Sequence, residues 1–242
     1  MPGGIKQHPF NQVDGLKKII NKNTAAVVIE LIQGEAGIVP AKKVFINEIR
    51  KLCKKNNALI VIDEVQSGVG RTGHLYAYEK YNIKPDILCS AKGMGNGIPI
   101  GAILTTNKVA KAMQVGAHGS TYGGNPLACS VSYEVFKEVS KKSFLNSVIK
   151  KEKLFISLLN DLNKKYNCFT AVRSAGLWIG LELNSKIENL TLQNIMSSAY
   201  DEGLMILKAN NNTLRLAPAL TISEKEIKLG VKKLEKSLSR LL

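Results

Sequence analysis

Residues 58–63, Ala-Leu-Ile-Val-Ile-Asp, constrain the fold of this chain more than any other segment. Five apolar residues follow one another without a polar partner, and a strand of that kind suits a parallel sheet covered on both faces. The run ends on Asp63. In open α/β sheets the ligand crevice lies beyond the carboxyl ends of the strands, so this acid either caps the next element or meets a ligand.

The flanking segments supply the rest of an α/β pattern. Residues 12–22 place Val13, Leu16, Ile19 and Ile20 on one helical face, and 24–32 is a β-branched apolar run that reads as a buried strand. Residues 41–55 read as a helix with Val44, Phe45, Ile49 and Leu52 inward, and shorter strands are expected at 86–91 and 98–105. Strands alternate with spacers long enough for parallel crossovers. Beyond Pro126 the character changes. Helices are expected at 127–138, 144–166, 192–202 and 223–241, with short strands at 170–173, 177–183, 204–207 and 213–216. That is α+β, and it sets the expected division at 1–137 and 138–242.

Composition removes several function classes. The formal charge is +15, yet arginine occurs only at 50, 71, 173, 215 and 240. The excess is lysine spread through helical stretches, without an arginine cluster or interleaved aromatics, so it reads as a solvated face and not a nucleic-acid surface. No apolar run approaches the roughly 18 residues of a membrane span. No apolar stretch follows Lys6, as a secretory signal requires, so a soluble cytoplasmic protein is expected. The cysteines at 53, 89, 129 and 168 and the histidines at 8, 74 and 118 lack metal-ligand spacing, and free thiols are expected.

Several segments carry residues suited to chemistry. Asp63 opens Asp63-Glu64-Val65-Gln66, where a carboxylate can pair with a ring nitrogen. In Asp86-Ile-Leu-Cys-Ser-Ala-Lys92-Gly-Met-Gly-Asn-Gly97 a strand runs straight onto a lysine followed by three glycines. Most lysines here are surface residues; Lys92 differs in leaving a strand at the same sheet edge as Asp63, where burial would lower an amine's pKa. The loop 116–126 holds Ser120 and Thr121 among glycines, suited to an anion, and it equally reads as a lead-in to a helix capped by Asn125 with Pro126 at its first position. Glu30-Leu-Ile-Gln-Gly-Glu35, Thr213-Leu-Arg215-Leu-Ala-Pro218 and Arg173-Ser-Ala-Gly176 are weaker, the last explained by a turn.

In this order, Asp-Glu-Val-Gln-x-Gly-x-Gly-Arg-Thr-Gly at 63–73, Ser-Ala-Lys at 90–92 and His-Gly-Ser-Thr-Tyr-Gly-Gly-Asn-Pro-Leu-Ala-Cys at 118–129 resemble the class-III, ornithine-type aminotransferases. The resemblance runs from about Phe10 to the end and is greatest to the acetylornithine and ornithine branch. It implies the pyridoxal-phosphate-dependent transferase fold of type I, with 1–137 the C-terminal part of the large cofactor domain and 138–242 the small domain. It implies pyridoxal 5'-phosphate bound by Asp63, Glu64, Val65, Gln66, Lys92 and Thr121, with Lys92 as Schiff-base lysine and general base. Asp63 would pair with the ring nitrogen, Val65 pack on the ring and Gln66 bond the phenolic oxygen. Thr121 would reach the cofactor phosphate of a partner subunit in a homodimer. Ser120 and Arg215 would contact substrate, and Glu35 would pair with Arg215 and release it for the second substrate. The implied reaction moves an amino group from an ω-amine such as N-acetylornithine to 2-oxoglutarate, in arginine synthesis. Ornithine, succinylornithine and succinyldiaminopimelate are the alternative donors. Neither nucleic acid nor membrane is an expected partner.

Two positions depart from the family pattern, Leu31 in place of proline and Ser174 in place of glycine. The family's N-terminal region, with its phosphate-binding loop, is not recognisable before Phe10. Met1 is therefore expected to be an internal methionine of a longer protein, and an inactive fragment serving as an interaction module is the remaining alternative. A sheet short of strands is expected to expose an edge and an apolar face.

Overall fold

The computed structural model describes residues 3–210 and 212–242; Met1 lies outside the described residues. In chain order the elements are α1 (Leu16–Ile19), β1 (Ala26–Glu30), β2 (Ile32–Gln33), β3 (Val39–Pro40), α2 (Lys43–Asn56), β4 (Leu59–Asp63), α3 (Tyr78–Tyr81), β5 (Ile87–Ser90), β6 (Ala102–Thr105) and α4 (Asn107–Ala110). There follow α5 (Pro126–Val139), α6 (Lys142–Tyr166), β7 (Phe169–Ser174), β8 (Ile179–Leu183), α7 (Leu192–Asp201), β9 (Leu207–Ala209), β10 (Thr213–Leu216) and α8 (Glu224–Ser239). They form two compact units. One holds the residues up to Leu31, Pro40–Val69 and Tyr76–Glu138; the other holds Ile32–Val39, Gly70–Leu75 and Val139–Leu242.

The first unit is built on a four-stranded sheet of order β1-β4-β5-β6. β1 runs parallel to β4 with Ile29 beside Ile62 and Glu30 beside Asp63, and β4 runs parallel to β5 with Asp63 beside Cys89. β6 is antiparallel to β5. The expected parallel crossover is absent there because residues 91–101 carry one 3-10 turn and no helix to return the chain. Helix α2 packs on β1 and β4 through buried Phe45, Ile46, Ile49, Leu52 and Cys53. Val44, expected inward, is exposed, since it stands one position outside that stripe.

Two further expectations are corrected. The helix read over 12–22 shrinks to the single turn of α1. Gly15 opens it with φ +89°, and at its far end Thr24 Oγ1 donates to Ile19 O at 2.9 Å while Asn21 Nδ2 donates to Lys18 O at 3.1 Å. Side chains thus take the carbonyls that another helical turn would use. β4, read as covered on both faces, is covered on one: Ile60 and Ile62 are buried, whereas Leu59 and Val61 are only half-buried.

The second unit has an antiparallel sheet of order β7-β8-β10-β9. Its core joins Phe155, Leu159 and Leu162 of α6 to Leu181 of β8, Leu214 of β10 and Leu234 of α8. Helix α8 begins with a capping box, Ser223 with Glu226. β9 lies three residues later than the strand read at 204–207. Gly203 at φ +66° turns the chain after α7, and Leu204 N donates to Ala199 O at 2.8 Å, so the first of those residues closes the helix.

Candidate active site

The acid that ends β4 and the lysine that follows β5 come from neighbouring parallel strands of the first unit. Asp63 is half-buried. Its Oδ1 accepts from Val65 N at 2.9 Å, and Oδ2 meets no donor among the described residues. Lys92 opens the 3-10 turn Lys92–Gly95 with φ +48°. A side chain in the left-handed region costs about 1–3 kcal/mol and persists where the surroundings impose it. Val69 is also at positive φ, +53°, and is buried. A Cβ on Gly93 would lie 3.6 Å from Val69 Cβ, so one strained residue lies beside the turn that the other opens. The Lys92 side chain is exposed, which departs from the burial expected of it.

Glu64, next to Asp63, has no exposed surface. Its Oε2 accepts from Ser67 Oγ at 2.6 Å and Ala77 N at 3.0 Å, and its Oε1 from Tyr78 N at 2.7 Å. Burial pushes this carboxyl above the usual range, while Ser67 and the two amides pull the other way. The carboxylate is thereby committed to its own loop. Val65 and Gln66 are half-buried beside it. Ser120 and Thr121 lie in the exposed loop 116–124, where Ser120 Oγ accepts from Gly123 N at 3.0 Å. Asn125 Oδ1 accepts from Ala128 N at 3.0 Å, as a helix cap does.

Glu35 and Arg215 belong to the second unit, 180 residues apart, and their side chains pair, Arg215 Nη1 to Glu35 Oε1, at 2.5 Å. Arg215 also lines a mainly apolar cavity of about 380 Å³, together with Phe155, Met205, Leu207, Ile227 and Leu234. The loop bearing Glu35 is clamped. Asn210 Nδ2 donates to Ala36 O at 2.8 Å, and Arg173 Nε donates to Gly37 O at 2.9 Å. Gly37 sits at φ +107°, and a Cβ there would come within 2.8 Å of Asn210 Nδ2 and 3.1 Å of Arg173 Nη2. Only glycine fits. Arg173, at the end of the strand expected over 170–173 and at the start of the weak turn segment, is a residue of β7 whose side chain holds the loop. Half-buried Arg71 donates to Leu177 O at 2.8 Å and Pro218 O at 2.7 Å, and desolvation lowers its pKa to about 10. The scarcity of arginine among so many lysines is the signal that would have marked both, because a planar multi-donor head is retained where geometry demands it.

A family model described as Aminotransferase class-III matches residues 4–238. The chain belongs to the class-III aminotransferases. The cofactor of this family is pyridoxal 5'-phosphate. The acetylornithine/succinyldiaminopimelate aminotransferase of Buchnera aphidicola subsp. Schizaphis graminum (strain Sg) is 48% identical over 241 residues, which are 100% of this chain and 59% of the relative. The succinylornithine transaminase of Yersinia pseudotuberculosis serotype O:1b (strain IP 31758) is 44% identical over 234 residues, 97% of this chain and 56% of its own length. Among solved structures, the N-acetylornithine aminotransferase of Stenotrophomonas maltophilia K279a superposes with a TM-score of 0.89 at 33% identity, covering 99% of this chain and 63% of that one. The ornithine aminotransferase of Plasmodium yoelii gives 0.91 at 30%, covering 98% and 63%. This class-III chain therefore spans about three fifths of the length of the relatives it matches. Its α/β fold, with a mostly parallel sheet, is that of the family's known structures.

Proposed function

We propose that this chain carries the cofactor-bonding and arginine-switch parts of an aminotransferase that moves an amino group from an ω-amine, N-acetylornithine first among the candidates, to 2-oxoglutarate. The observation that carries the reading is the adjacency of β4 and β5, which brings an acid and a lysine to the carboxyl ends of neighbouring strands. The residues fit pyridoxal 5'-phosphate by their chemistry: one oxygen of Asp63 is uncommitted among the described residues, and Lys92 is accessible. When bound, that cofactor supplies the electron sink that lets the amine-bearing carbon lose a proton. Asp63 would keep the ring nitrogen protonated, Val65 pack on the ring and Gln66 bond its phenolic oxygen. Lys92 would hold the cofactor and carry the substrate's proton at Nζ. Glu64 would act through the loop it organises. Thr121 would reach the cofactor phosphate across a homodimer, and Ser120 would contact the amino donor.

Arg215 would grip a substrate carboxylate by bidentate hydrogen bonds. Its pairing with Glu35 supports a switch in which the carboxylate of Glu35 masks the guanidinium for one substrate and yields it to the other. The substrates for which the relatives are named, acetylornithine, succinyldiaminopimelate and succinylornithine, support a donor with an acylated amine at one end.

Borohydride trapping tests the reading. The purified chain is incubated with pyridoxal 5'-phosphate, reduced and weighed intact, beside Lys92→Ala. The expected result is one phosphopyridoxyl adduct that maps to Lys92 and is missing from the variant. Adducts scattered over many lysines and unchanged in Lys92→Ala would overturn it.

A further inference from the structure

Asn96 is the one asparagine of the sequence that is followed by glycine, and the pair forms the tip of a tight turn. Asn96 has φ +45° and ψ +42°, Gly97 has φ +106°, and Ile98 N donates to Gly95 O at 2.9 Å. Positive φ at both central residues is the pattern of a type I′ turn, which asparagine and glycine adopt with least strain. Both residues are exposed. Asn96 N donates to Gly93 O at 3.3 Å, but neither the Asn96 side-chain amide nor Gly97 N has a hydrogen-bond partner among the described residues. A Cβ on Gly97 would meet nothing within 4 Å, so the space beside this amide is open. Other asparagines that precede a small residue are held. Asn184, before Ser185, accepts from Lys186 N at 3.2 Å and donates to Asn167 O at 2.9 Å. Asn146, before Ser147, lies inside α6, where the helix fixes its main chain.

We infer that Asn96 is a site of spontaneous deamidation in the folded chain, with Gly97 N as the nucleophile. Base takes the proton from Gly97 N, and the nitrogen attacks Asn96 Cγ. The new bond from Gly97 N to Cγ forms, the bond from Cγ to Nδ2 breaks, and ammonia leaves. Water then opens the five-membered imide. Attack at Cγ returns an ordinary aspartate; attack at the main-chain carbonyl gives isoaspartate, with the chain running on through Cγ. Nothing is oxidised or reduced, and water is the sole co-reactant. Rotation about ψ of Asn96 brings the two atoms together. It breaks the bond from Ile98 N to Gly95 O, a turn hydrogen bond at the surface of the kind that opens locally in a folded protein. Glycine at 97 matters twice, because it lacks the Cβ that would obstruct the attack and it accepts the turn's positive φ. Either product places a negative charge in the turn that Lys92 opens. The isoaspartyl product also adds a main-chain atom between Gly95 and Ile98, which the type I′ turn does not accommodate.

The test is ageing of the full 242-residue chain in mildly alkaline buffer without denaturant. Samples are digested and analysed by mass spectrometry with fragmentation that separates aspartate from isoaspartate. The peptide that spans residue 96 is expected to gain about one dalton, before a peptide carrying any other asparagine does so. The rate should rise with pH, because the attacking amide must lose its proton. Gly97→Ala should slow the conversion at least tenfold, and Asn96→Gln should abolish it. Gly4→Ala, at another exposed positive-φ glycine in open space, should leave it unchanged. Circular dichroism of each variant separates a lost reaction from a lost fold. Three outcomes overturn the inference: Asn96 stays intact in the folded chain while it converts in the urea-unfolded chain, conversion begins at Asn184 instead, or Gly97→Ala leaves the rate unmoved.

Discussion

Glu64 is the carboxylate on which the loop after β4 depends. Three donors converge on it, two of them backbone amides that a buried loop cannot satisfy with water. Removing the acceptor leaves those groups stranded, and a buried unsatisfied donor costs about 1–3 kcal/mol. Glu64→Ala is therefore expected to lower stability by about 3 kcal/mol. Glu64→Gln, which keeps one acceptor oxygen, should lose less. Thermal melts at low protein concentration measure both, and a Glu64→Ala protein as stable as the parent would remove the loop role. Asp63 and Lys92 stand out in sequence because each ends an apolar run. Glu64 was legible only as a neighbour in a motif, since nothing local says that its partners lie at Ala77 and Tyr78.

Among the elements, the antiparallel sheet of the second unit carries a device that pH can reveal. Arg173 of β7 hydrogen-bonds Glu182 of β8 and holds that carboxyl below its ordinary value of 4.5. A depressed folded-state value means that the pair's stabilisation is complete above 4.5 and drains away as pH falls through the lower, folded value. Arg173→Gln should reduce the loss of stability on acidification, because the folded and unfolded values of Glu182 then converge. Melting midpoints collected between about pH 3 and 6 measure this, and an unchanged acid limb would exclude the pair as its source. The same substitution loosens the clamp on Gly37. Ser174, one departure from the family pattern, ends β7 without a positive φ, whereas Gly176 at +65° leaves only 2.3 Å between a would-be Cβ and Arg71 O. Helices and strands with strong periodicity, such as α2, α6 and α8, were readable in sequence. The direction of β6 and the brevity of α1 were not, because a missing crossover helix and two side-chain hydrogen bonds decided them.

For the whole molecule the uncovered face of the β1-β4-β5-β6 sheet, where Val28 is 71% and Ile103 60% exposed, sets the behaviour in solution. Exposed aliphatic surface binds hydrophobic dyes, and the +15 charge opposes self-association only while it is unscreened. The unassisted chain is expected to bind anilinonaphthalenesulfonate and to scatter more light as salt rises from about 0.05 to 0.5 M, where the screening length shortens to a few ångströms. A dye-negative, monodisperse protein at the higher salt would mean that the face is covered. No described helix is long and apolar enough to cross a membrane.

The sequence by itself determined the α/β class, the strand bearing Asp63, the lysine at the next strand's end and the family to which these motifs belong, because each is written in contiguous residues. Tertiary structure alone decided that residues 32–39 and 70–75 join the unit formed by 139–242, and that Arg173 and Asn210 hold the loop of Glu35, whose pairing with Arg215 the family resemblance already implied. It also decided which face of β4 is covered. An apolar residue records that it prefers burial; whether a neighbour is there to bury it is a property of the packed chain.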